Sequence, residues 1–169
     1  TNIADTVNHG GSDIWLANYN ETGNFQWGLM IGGSGSDLAI SMCTDDAGNA
    51  VILCNVASTN GDFTPSHPGV WMVKVSPAGV ILDKDSYGGE PTGKGKIIQD
   101  KNGGFLFLAN RSTAVPGSSI AGGKDLWLVK TDANGVLQWQ KTYGGSVDEM
   151  ATDILQDGTN LYLLADSNS

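Results

Sequence analysis

Positive charge is scarce in this chain. Nine Lys and Arg stand against eighteen Asp and Glu, a formal net charge of -9. Such a surface repels phosphate backbones and anionic headgroups, so neither nucleic acid nor an anionic membrane is an expected partner. Charged residues make up only 16% of the chain, while Gly is abundant and Ser, Thr and Asn are frequent. That balance belongs to a β-rich, extracellular or cell-surface protein more than to a helical cytosolic enzyme. No apolar run approaches the roughly 18 residues of a membrane span, so membrane insertion is not expected. No basic-then-apolar leader opens the chain, and with Thr1 in place of Met it reads as processed or excised. No segment carries a capped helical period over about ten residues, which excludes a helical fold.

Histidine is nearly absent. His9 and His67 lie in polar loops without zinc-ligand spacing, so no catalytic residue, metal or cofactor is expected. There are two cysteines, Cys43 and Cys54, on neighbouring expected strands and symmetric about a turn near Gly48-Asn49. They are either a disulfide formed in an oxidising compartment or two small buried thiols.

What the chain does have is a repeat. Trp15, Trp71 and Trp127 recur at an interval of 56, as do Gly23, Gly79 and Gly135, and the pairs Gly32-Gly33, Gly88-Gly89 and Gly144-Gly145. A period of this length marks a propeller, solenoid or array. The repeats run 13–68, 69–124 and 125–169, the last completed in phase by 1–12. In the fullest copy, Asp125 to Gly145, an apolar run leads to a polar turn closed by Gly135, then a strand carrying Trp139, then a double-glycine stop. Trp27 holds the place of Trp139 in the first copy. Each repeat adds a second hairpin, 38–44 with 50–56, 96–99 with 105–109, and 152–155 with 161–165. Four antiparallel strands per repeat are therefore expected. The strand holding Ile14, Trp15, Leu16 and Ala17 is apolar on both faces, as where sheets pack on sheets, so the repeated tryptophans are expected to be buried.

The pattern Trp-hydrophobic-Val-Lys-x-Asp-x-x-Gly-x-x-x-Trp-x-x-x-Tyr-Gly-Gly, best matched through Trp127, Lys130, Asp132, Gly135, Trp139, Tyr143 and Gly144-Gly145, resembles a known repeat. It is similar to the β-propeller repeats of secreted and surface proteins of Bacteroidetes-type bacteria, often exported by the type IX secretion system. A weaker likeness runs to the tryptophan-docking repeats of quinoprotein-like propellers. The resemblance covers essentially the whole chain and departs at Asp83, where the second tryptophan belongs, and at Ile31, where tyrosine is usual. It implies an all-β, propeller-type array of four-stranded blades, a scaffold role and secretion. It transfers no catalytic residue.

The phase of the repeat places half a blade at each end, with strand edges at Ile14, Trp15, Leu16, Ala17 and at Leu161, Tyr162, Leu163, Leu164. Unpaired edges are templates for another strand. The expectation is a non-enzymatic structural module joined by strand complementation to itself, as a ring or filament, or to the remaining blades of a longer chain. The alternative is a glycan- or protein-binding propeller whose connector face carries Asp37, Asn60, Asp62, His67, Glu90, Arg111 and Lys124. Gly33-Ser34-Gly35-Ser36 lacks the lysine of a phosphate loop, and Asp45, Asp46 and Asn49, like Asp132 and Asn134, are read as turn residues in place of calcium ligands. Thr6, in Asp5-Thr6-Val7, matches a short O-glycosylation signal.

Overall fold

Polar, glycine-containing clusters close the hairpins, and the runs between them are strands. The computed structural model describes residues 7–64, 67–89, 93–117, 119–120 and 122–168. The strands are β1 (Ile14–Tyr19), β2 (Phe25–Ile31), β3 (Asp37–Thr44), β4 (Ala50–Val56), β5 (Gly69–Val75) and β6 (Ile81–Gly88). They continue with β7 (Gly95–Gln99), β8 (Phe105–Arg111), β9 (Asp125–Thr131), β10 (Leu137–Tyr143), β11 (Glu149–Asp157) and β12 (Asn160–Ser167). One short 3-10 turn, Gly61–Phe63, interrupts the β4–β5 connector. The strands form four antiparallel sheets: β1-β2, β3-β4-β5-β6, β7-β8-β9-β10 and β11-β12. The chain is all-β, and each expected hairpin is present.

One turn design recurs five times. In the β1–β2 turn Gly23 N–H donates to the Asn20 carbonyl, and Asn20 N–H donates to the Asn24 carbonyl. Ser76 to Val80, Asp132 to Val136, Asp45 to Asn49 and Asp100 to Gly104 repeat both bonds. The first side chain braces each turn, as when Asp132 Oδ1 accepts from Asn134 and Val136 N–H. Asp45 Oδ1 likewise accepts from Ala47 and Asn49 N–H. These carboxylates are occupied in shaping backbone, as Asx turns require. Gly135, at φ 80°, occupies the left-handed position that closes the turn.

The sheets stack face to face over three apolar layers. Ile14, Leu16 and Ile31 of the first sheet meet Ile52, Cys54, Trp71 and Val73 of the second. The second sheet's other face, Val51, Leu53, Val70 and Met72, meets Ile97, Phe105, Phe107, Trp127 and Val129. Leu106, Leu108, Leu126 and Leu128 then meet Ala151 and Ile154, with Leu161, Leu163 and Ala165 packed on them. Central strands are apolar on both faces because a sheet covers each face. The first strands draw together, β3 beside β7 and β7 beside β11, while β2, β6 and β10 form the opposite edges.

One expectation needs correction, and one open alternative is decided. Trp71 and Trp127 are buried, at 5% and 0% exposed, but Trp15 is 50% exposed. Each tryptophan faces the sheet before its own, and among the described residues nothing packs on that face of the first sheet. The cysteines do not form a disulfide. Cys54 pairs in register with Ala39 and Cys43 with Val51, because the turn centres on Ala47, earlier than the sequence symmetry implied. The two thiols sit in different apolar layers and are free.

Candidate functional site

The connector residues converge, but on the chain itself. Four successive N–H groups of the first double-glycine loop point to side-chain oxygens. Gly32 donates to Asp62 Oδ2 (3.0 Å), Gly33 to Asp37 Oδ2 (3.0 Å), Ser34 to Asn60 Oδ1 (2.8 Å) and Gly35 to Ser58 Oγ (2.9 Å). A run of N–H groups of this kind is an anion-binding concavity when open. Here Asp37, Asn60, Asp62 and Ser58 fill it. Asp37 is fully buried, not on a rim. Its carboxylate also accepts from Ala57 N–H, Ser58 N–H and Ser58 Oγ. Glu149, which opens β11, repeats the brace by accepting from Gly145 N–H at 3.0 Å.

The other connector candidates are dispersed. The guanidinium of Arg111 lies 4.8 Å over the Trp127 ring and donates to Thr113. Exposed His67 offers its carbonyl to Trp71 Nε1 at 2.9 Å. Lys124 N–H donates to Asp148 Oδ1 at 2.9 Å. Glu90 and Thr6 lie outside the described residues. Among the described residues no group of three or more His, Cys, Asp or Glu is gathered to hold a metal.

A groove of about 390 Å³ opens between the first two sheets, lined in part by Leu16, Trp27, Met42, Cys43 and Pro77. Burial, helped by Asp45, pushes the Cys43 thiol up to about 11, so it is protonated and a poor nucleophile near neutrality. At the base of the next interface, burial and then the neighbouring Asp83 and Asp132 push the Asp85 carboxyl up to about 6, against the pull of Lys74. The folded state therefore holds this proton to a higher pH than the unfolded chain does. The stability it supports is full below about 3.8 and is lost as pH rises through about 6. Asp85→Asn is expected to raise Tm at pH 7 and to flatten the dependence of Tm on pH between 4 and 6.5. A parallel shift at all pH values in a melting series would contradict this.

Geometry singles out the edges of β1 and β12 instead. Both strands are apolar on both faces, like the central strands β4, β5, β8 and β9, yet among the described residues each pairs with one strand only. Trp15 and Tyr19 on β1 and Tyr162 and Leu164 on β12 are 50%, 54%, 54% and 60% exposed. Tyr19 went unnoticed in the sequence because it stands where Val75 and Thr131 stand in the other copies. The lysine of the repeated Val-Lys pattern has a partner that the pattern does not name. Lys74 and Lys130, 56 apart, pair with Asp45 and Asp100 at the turn of their own sheets. No helix is long and apolar enough to cross a membrane among the described residues. In comparisons with known proteins, no protein-family model matches the chain and no curated protein matches it.

Proposed function

We propose that the chain is a non-enzymatic structural module, a propeller-type array of four-stranded blades joined by β-strand complementation at the edges of β1 and β12. The observation that carries this reading is the exposure of Trp15 beside the burial of Trp71 and Trp127. Three residues at one repeat position want one environment, and the first lacks the blade that would cover it. The gathering of β3, β7 and β11 along one line supports a radial arrangement of the blades. An edge strand that reads as a central strand is the main-chain template used in strand addition. The missing strands come from further copies of the repeat, in a ring, a filament or a longer array. The resemblance to surface repeats of Bacteroidetes-type bacteria, together with the low charge content, supports an extracellular setting.

Light scattering on a sizing column with negative-stain microscopy tests the reading. A discrete multimer or a filament is the expected result. A well-folded monomer of 17.6 kDa at all concentrations would overturn it.

A further inference from the structure

Resting on that reading, we infer that the strand completing β12 is β1 of a second copy of this chain, in one register and with one docking turn. The register follows from the two joints already formed inside the chain. In β8–β9, Ala109 faces Trp127 and Leu106 faces Lys130; in β4–β5, Cys54 faces Trp71. The repeat interval of 56 carries the β8–β9 joint onto β12 and β1. Ala165 then faces Trp15 of the second copy, Leu164 faces Leu16 and Tyr162 faces Asn18. This register aligns the faces as well. Trp15 of the second copy comes beside Leu163, on the side that packs against Leu126 and Leu128. Tyr162 and Leu164 join Leu16, on the side turned toward the second copy's own second sheet. The exposed apolar residues of both edges are covered in one step.

The turns supply an independent observation. The turn at Pro77–Gly79 is seated on the preceding sheet: Trp27 Nε1 donates to the Pro77 carbonyl at 2.8 Å, and its ring leaves no more than 3.0 Å for a Cβ on Gly79. The turn at Ala133–Gly135 is seated likewise, with Lys74 Nζ donating to the Ala133 carbonyl at 2.7 Å and Tyr87 to the Gly135 carbonyl at 2.6 Å. The equivalent turn at Asn20–Gly23 has no seat, and a Cβ on Gly23 would meet nothing within 4 Å. Its seat, one repeat interval on, is formed by Trp139, in the place of Trp27, and Lys130, in the place of Lys74. Both line a hollow of about 210 Å³ between the third and fourth sheets. The residue that takes the place of Pro77 and Ala133 is Glu21, so the docking turn brings a carboxylate to a lysine in an otherwise acidic chain. Two chains of charge -9 repel, and salt screens that repulsion, so association is expected to strengthen between 50 and 300 mM NaCl.

The test uses the whole chain with cysteines added at exposed positions of β12 and at half-buried Asn18 of β1. Tyr162→Cys combined with Asn18→Cys is expected to form an intermolecular disulfide under mild oxidation, since facing Cβ atoms lie about 5 Å apart. Leu164→Cys with Asn18→Cys, two residues out of register on the same face, is expected not to, and neither is the parent chain. Leu164→Asp, at a side chain 60% exposed in the single chain, should leave Tm unchanged in dilute solution and weaken association at least tenfold. Glu21→Lys should weaken it less, with the loss greatest at low salt. A multimer that survives Leu164→Asp, or that cross-links out of register, would overturn this pairing and leave strand complementation standing. A parent chain that stays monomeric would overturn both.

Discussion

Trp127→Ala is expected to destabilise the chain by about 3–5 kcal/mol, while Trp15→Ala, at the same repeat position, costs about 1 kcal/mol or less in dilute solution. Trp127 is fully buried, stands edge-on to Phe107 with ring centroids 5.5 Å apart, lies under Arg111 and donates from Nε1 to Gln140 at 3.0 Å. Truncation removes each of these contacts and leaves a void between two sheets. Trp15 has half its surface in water and loses little. Urea denaturation of both variants beside the parent separates the two costs. Equal losses would mean that Trp15 is covered within the single chain, contrary to the fold described. If a second copy covers Trp15, the cost of Trp15→Ala should grow with protein concentration, since association stabilises the folded state by mass action.

Asp37→Ala is expected to cost about 3 kcal/mol or more, because a buried polar group left without its partner forfeits its full desolvation penalty. Its carboxylate gathers Gly33 N–H, Ala57 N–H, Ser58 N–H and the Ser58 hydroxyl, with no exposed surface for water to replace it. Asp62→Ala, which removes one bond to Gly32 from a half-buried side chain, should cost about 1 kcal/mol. The ratio of the two losses is the informative quantity. Similar values would show that the double-glycine loop is held by its backbone alone.

The interval of 56 was enough to place every hairpin, because strand identity here rests on local patterning. Apolar runs end at polar clusters whose glycine closes the turn, and neither signal needs a distant residue. Register was less legible. The position of Cys54 opposite Ala39 depends on where the Asp45 turn centres and on the irregularity between Ala39 and Ser41, which composition does not announce. The burial of Asp37 was illegible for a related reason. Asp37, Asn60 and Asp62 are polar residues in glycine-rich surroundings, which in sequence look like a rim. Only the meeting of two segments more than twenty residues apart engages their oxygens, as when Ser58 closes over Asp37 and Asn60 and Asp62 reach the double-glycine loop.

The sequence by itself determined the all-β class and the four-strand repeat, since these follow from local periodicity. Tertiary structure alone decided which of three equivalent tryptophans is left in water and which turn has no seat. Burial depends on what lies on the far side of a sheet, and a repeated sequence writes the same residue whether or not a neighbour is there to cover it.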